Sequence, residues 1–210
     1  VEALMKTVTE AGTIVMPAQS SDWSHPNRWQ NPPVPKEWWD EIKESMPAFD
    51  PVVVPTILGK IPELFRTYPY VSRSSHPSAS FTAWGREKEG ILNDHALDFG
   101  LGDDSPLKKL YELDAKILFI GTDYETNTAF HLGEFRAGTG TVITDGARII
   151  EDNQAVWKEF KELDYEDEDF NRMGELLEKE YAVKTGCIGN ASAKLFSLRE
   201  SVDFAQTYFE

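Results

Sequence analysis

The stretch KILFIGTDYETNTAFHLGEF, residues 116–135, decides how this chain is read. Its first six residues form a continuous apolar run closed by Gly121, the pattern of a central strand buried on both faces. A mostly polar segment follows, and TAFHLGEF then reads as a short amphipathic helix, with Thr126 or Asn127 placed to cap it. A strand that runs through a polar loop into a helix is the building unit of an α/β fold. Ligands in such folds gather just past the strand ends. Here that position carries His131 and Glu134, three residues apart and therefore on one helical face. A lone helical histidine is more often a hydrogen-bonded structural group, so the pair by itself is a candidate only.

The flanking segments extend the same alternation. SPLKKLYELD (105–114) has Ser105 as N-cap and Pro106 at the first helical position. GKIPELFRTYP (59–69) reads as a helix with Ile61, Leu64 and Phe65 on one face, KEWWDEIKES as another, and REKEGILND as a short exposed one. GTIVMP reads as a buried strand, and YVSRSSHPSASFTAWG (70–85) as a strand interrupted at His76–Pro77. Residues 17–55 hold eight prolines and four tryptophans, which predicts an ordered flap over a ligand or over the core, because indole rings need packing partners. TVITDGARIIE (141–151) predicts a hairpin turning at Asp145–Gly146. NQAVWKEF, DEDFNRMGELLEKEY and LRESVDFAQTYF read as helices. The expected architecture is α/β, a mixed central sheet flanked by helices, in a single domain spanning 1–210. Val1, Leu4, Met5 and Val8 have helical spacing with no capping residue before them, so that helix is expected to begin upstream of Val1.

Composition excludes several functions. A net charge of −15 argues against nucleic acid, whose backbone requires a basic footprint, and favours cationic ligands. The run ELDYEDEDF (162–170) concentrates that charge. No apolar run approaches the roughly 18 residues of a membrane span, and no signal peptide is visible. One cysteine, Cys187, reads as a small buried or half-buried filler and fits a reducing cytoplasm. The four histidines show no zinc spacing, so no metal is expected. RAGTGT is followed by a hairpin and not a helix, which argues against a dinucleotide site.

Taken in order, GTIVMP, RSSHPSASFTAWG, HALDFGLGDDSPLKKLYELDAKILFIG, NTAFHLGE and VWKEFKELD resemble the aminoglycoside 3-N-acetyltransferase family. The flap WQNPPVPKEWWDEIKESMPAFD is similar to its Bacillus-type branch. The resemblance implies the fold of that family and not the common GNAT acetyltransferase fold. It implies transfer of acetyl from acetyl-coenzyme A to the 3-amino group of a 2-deoxystreptamine aminoglycoside, without a metal. A histidine suits the removal of an amine proton near neutral pH. By resemblance that base is His131, its other nitrogen held by Asp164 or, less directly, Glu162. Glu134 and His95 would line the acceptor pocket, and Ser75, His76 and Ser80 would lie near the coenzyme thioester. A serine- and glycine-containing loop that receives the coenzyme phosphates in this family has no counterpart in these residues. The implied partners are coenzyme A and an aminoglycoside or other cationic amine, on a monomer or homodimer. An acyltransferase of the same fold acting on another primary amine, and a non-catalytic remnant, are the alternatives.

Overall fold

A computed structural model describes residues 1–210. In chain order its elements are α1 (Glu2–Val8), β1 (Thr13–Pro17), α2 (Trp39–Ser45), α3 (Lys60–Arg66), β2 (Ser72–Arg73), β3 (Phe81–Gly85) and α4 (Lys88–Leu92). They continue with α5 (Pro106–Glu112), β4 (Lys116–Ile120), α6 (Ala129–Ala137), β5 (Val142–Glu151) and β6 (Gln154–Leu163). The chain ends with α7 (Phe170–Glu180), β7 (Lys184–Ile188), β8 (Ala191–Ser197) and α8 (Leu198–Phe209). The α/β class is the one expected. The strands, however, are spread over three small sheets in the orders β1-β3-β2, β4-β8-β7 and β5-β6 instead of one central sheet. Val1–Gly100 with Ile143–Glu162 forms one unit, and Leu101–Val142 with Leu163–Glu210 a second.

In the first unit β3 lies between β1 and β2, both antiparallel to it. Phe81, Thr82 and Ala83 of β3 are buried, whereas β1 is only half-buried along its length and not the buried strand expected. The interruption at His76–Pro77 is a closed turn: Ser74 N–H donates to Phe81 O, and Ser74 Oγ accepts from Phe81 N–H, both at 2.9 Å. The proline-rich segment is ordered as expected, three of its four indole donors bonded within it, while Trp38 is exposed. Trp23 Nε1 donates to Pro47 O, Trp29 Nε1 to Ser24 Oγ and Trp39 Nε1 to Val34 O. α3 buries only Phe65; Ile61 and Leu64 are about half exposed, because this seven-residue helix meets the core along a single line. α4 buries Ile91 and Leu92 and is not the exposed helix expected.

The expected turn at Asp145–Gly146 is absent, and β5 runs straight through both residues. A Cβ on Gly146 would lie 2.7 Å from Trp157 Cζ2, so glycine stands there to let the indole lie against the strand. Asp145 is buried, and its carboxylate accepts from His25 N–H and Gly146 N–H, each at 2.7 Å. The reversal occurs at Asp152 and Asn153, with φ of 50° and 62°. Two consecutive positive φ values make the type I′ connection, and Asp and Asn tolerate that region best among non-glycine residues. NQAVWKEF is therefore the start of β6 and not a helix: Phe160 and Glu162 are buried while Glu159 and Lys161 are exposed, the alternation of a strand.

In the second unit β8 is the central strand and β4 an edge strand, which explains why Leu118 is 40% exposed despite its apolar surroundings. β7 and β8 were not apparent from the apolar pattern, and Cys187 stands exposed on β7. Phe119, Tyr124, Phe130, Phe170, Met173 and Phe196 form the core. α7 contributes Phe170, Met173, Gly174 and Leu177 to it, an i, i+3, i+4, i+7 stripe. α8 buries Leu198, Ser201, Val202 and Ala205 at the same spacing. α6 packs closely on α8 through Gly133, where a Cβ would sit 2.5 Å from Ala205 Cβ and 2.6 Å from Val202 O. Neither Thr126 nor Asn127 caps α6: the N-cap is Thr128, without a side-chain hydrogen bond. Asn127 instead donates from Nδ2 to Ser201 Oγ at 2.9 Å, pinning the entry of α6 to α8.

Candidate active site

α6 sets the position of the candidate base. His131 is its third residue, and helical spacing brings Glu134 beside it, with Nδ1 3.2 Å from Glu134 Oε2. A carboxylate oxygen only accepts, so Nδ1 carries a proton, and in the neutral ring Nε2 presents a lone pair. Nε2 has no hydrogen-bond partner in the protein. The Glu134 side chain is 4% exposed and that of His131 15%. The imidazole also contacts two rings from other segments, Tyr165 at 4.6 Å and Phe170 at 5.0 Å between centroids. This arrangement can take a proton from a bound group at Nε2 while the carboxylate holds the opposite nitrogen and stabilises the resulting imidazolium.

The carboxylate on the imidazole is Glu134, where Asp164 or Glu162 had been expected. The i, i+3 spacing places it there within one helix, without depending on a distant segment. Asp164 follows β6, is exposed, and donates its backbone N–H to Thr141 O at 2.9 Å. Glu162 lies in the other unit, 6% exposed, where Oε2 accepts from Gly100 N–H at 3.0 Å. Tyr165 and Phe170 escaped the sequence reading. Their signal was available: aromatic rings within the acidic run ELDYEDEDF have to pack on something.

The histidines expected near the coenzyme and acceptor are committed elsewhere. His76 is fully buried; Nδ1 accepts from Ala79 N–H at 2.9 Å, and Nε2 donates to Leu97 O at 3.1 Å. Burial, and then the neighbouring His95, push its pKa down to about 3, so it stays neutral. His95, 7% exposed, packs its ring 4.9 Å from that of His76. Its Nε2 donates to Gly100 O at 2.7 Å, and Nδ1 accepts from the Ser74 hydroxyl at 2.9 Å. Phe99 takes a positive φ of 54°, which turns the chain so that Gly100 can offer its carbonyl to His95 and its N–H to Glu162. Ser80 is buried, donating to Ala18 O and accepting from Arg73 Nε, each at 2.9 Å. His76, His95 and Ser80 thus make these hydrogen bonds within the protein and build the turn. Ser75 alone of this group is exposed, with a hydroxyl free of protein partners. His25 differs again: Nδ1 accepts from Asn27 N–H, and its ring packs edge-on to Trp39 and Trp157. Burial first, then Lys43, lower its pKa.

A family model described as aminoglycoside 3-N-acetyltransferase matches residues 1–210. The chain belongs to that family. The SPbeta prophage-derived aminoglycoside N(3')-acetyltransferase-like protein YokD of Bacillus subtilis (strain 168) is 51% identical over 211 residues, covering 100% of this chain and 78% of YokD. The YokD crystal structure superposes with a TM-score of 0.96 over 99% of this chain and 78% of that one. AAC-IIIb, solved as a binary complex with CoASH, is 28% identical with a TM-score of 0.86, covering 99% and 81% of the two chains. AAC-VIa, solved with sisomicin bound, is 26% identical with a TM-score of 0.87, covering 100% and 82%. The protein is thus an aminoglycoside N-acetyltransferase-type acyltransferase by family. In family terms, RSSHPSASFTAWG and HALDFGLGDDSPL are the segments that fold into the His76–His95 framework, while NTAFHLGE supplies the imidazole–carboxylate pair.

Proposed function

We propose that this chain transfers an acetyl group from acetyl-coenzyme A to the 3-amino group of a 2-deoxystreptamine aminoglycoside, with His131 as general base. The observation that carries the reading is the His131–Glu134 pair, whose hydrogen bond occupies Nδ1 and leaves Nε2 without a protein partner. A bound acceptor amine gives up a proton as its nitrogen attacks a carbonyl, and His131 Nε2 takes it. Glu134, nearly buried, keeps the ring in the tautomer that can accept and offsets the positive charge that then forms. Acetyl-coenzyme A supplies the acetyl group as a thioester, whose sulfur leaves with the electron pair. Ser75, with its exposed hydroxyl, is the side chain of the Ser74–Ser80 turn assigned to the coenzyme. The net charge of −15 favours a polycationic acceptor, in keeping with a relative solved with sisomicin bound, and the relative solved with CoASH supports coenzyme A on the donor side. The reading treats residues 1–210 as one antibiotic N-acetyltransferase domain acting in the cytoplasm, and no helix is long and apolar enough to cross a membrane.

Acetyl transfer measured with purified enzyme, acetyl-coenzyme A and a panel of aminoglycosides and simple monoamines tests this. His131→Gln should lower kcat by about 10²–10⁴-fold. Glu134→Gln should lower it less, because the tautomer is weakened while the base is kept. Near-normal turnover by His131→Gln overturns the assignment of the base. Equal kcat/KM for a monoamine and an aminoglycoside overturns the acceptor class.

A further inference from the structure

The single hydrogen bond from Nδ1 to Glu134 sits at the long end of the N–H···O range and does not by itself define the plane of the His131 ring. The terminal torsion of a histidine is broad, so the ring needs contacts on its faces to be held. Two rings supply them, tilted at 51° and 50° to the imidazole. Phe170 is fully buried and packs at 5.1 Å on Phe130, so the core accounts for its placement. Tyr165 lies outside that core cluster. It is half-buried, and the next four residues, Glu166, Asp167, Glu168 and Asp169, are all exposed acids. The segment is nevertheless anchored on both sides of the ring, by Asp164 N–H on Thr141 O and Phe170 N–H on Asp167 O. An exposed acidic segment is therefore held on both sides of a ring that lies against the imidazole.

We infer that Tyr165 is a positioning residue, whose ring holds the plane of His131 and so keeps Nε2 directed at the acceptor amine. The inference rests on the reading of His131 as the base. Removal of the ring leaves the substrates' own contacts in place but lets the imidazole turn, so the loss falls on kcat. Misplacement of a reacting group by about 1 Å costs up to 10²-fold, which sets the scale.

Steady-state kinetics of Tyr165→Phe, Tyr165→Leu, Tyr165→Ala and His131→Gln, with circular dichroism melts to confirm folding, test it. Tyr165→Phe should keep kcat within about two-fold of the parent, because the ring is retained. Tyr165→Ala should lose roughly ten-fold or more in kcat, with the acceptor KM changed by less than about two-fold. Tyr165→Leu, which fills similar space without a ring, should lie between them and gives the reading if the alanine variant does not fold. Parent-like kcat in both the Leu and Ala variants, with His131→Gln inactive, overturns the positioning role while leaving the base in place. Equal losses in Tyr165→Phe and Tyr165→Ala overturn it too, because the hydroxyl would then be the acting group. Activity retained by His131→Gln overturns the underlying reading instead.

Discussion

Gly133 joins the stability of the second unit to the placement of the imidazole, and substitution by alanine makes that link measurable. The new Cβ would lie 2.5 Å from Ala205 Cβ, 2.6 Å from Val202 O and 2.7 Å from Gln206 N. Comfortable carbon contacts are about 3.5–4.0 Å, so α6 and α8 must part by about 1 Å. Overpacking of this kind costs about 1–3 kcal/mol. Two of the three obstructing atoms are backbone and cannot rotate away, which places Gly133→Ala in the upper half of that range. Alanine recovers about 1 kcal/mol of helix propensity, leaving a net loss of about 1–2 kcal/mol. For a chain of this size that is a fall in Tm of roughly 2–8 °C. Gly90 in α4 is the internal control, because a Cβ there meets nothing within 4 Å. Gly90→Ala should therefore gain up to about 1 kcal/mol. Thermal melts of the two variants beside the parent decide the matter. A Gly133→Ala protein that melts at or above the parent refutes the close-packing argument, and opposite signs for the two glycines support it.

Ser105 Oγ accepts from Leu107 N–H at 3.2 Å and donates to Gly102 O at 2.6 Å. Ser105→Ala should cost about 1–2 kcal/mol, read from the urea midpoint, and an unchanged midpoint would contradict the capping role. His76 predicts a pH dependence: its pKa is about 3 when folded against 6.5 when unfolded, so between these values the unfolded chain binds a proton that the folded one refuses. Stability present above pH 6.5 is then lost as pH falls towards 3, with a slope from this group of up to about 1.4 kcal/mol per pH unit. Urea titrations at several pH values should show a shallower slope in His76→Gln than in the parent, even if that variant is weaker at pH 7; parallel slopes would sink the assignment.

Local causes were legible and distant ones were not. Ser105 and Pro106 start α5 through atoms two residues away, and the stripes of α7 and α8 are visible in their own spacing. Asp145–Gly146 carries the local signature of a turn, but the requirement for glycine comes from Trp157 on the neighbouring strand. KILFIG looks central because its residues are apolar, yet its rank in the sheet depends on β7 and β8, more than sixty residues later. The same division separates the histidines. Sequence singles out His131 by its place just past a strand, and the family resemblance adds His76 and His95. What discriminates is the partner of each ring nitrogen. In His76 and His95 both nitrogens are bonded within the protein, so neither ring has a nitrogen left for a substrate. In His25 the bonded nitrogen is an acceptor, so in the neutral ring the other carries the proton and cannot act as a base. Only in His131 is a single nitrogen bonded and that nitrogen a donor, to Glu134, which in the neutral ring leaves the other with its lone pair. The capacity for the proposed general-base chemistry therefore follows from a hydrogen-bond direction, and that direction is set by a carboxylate three residues along the same helix.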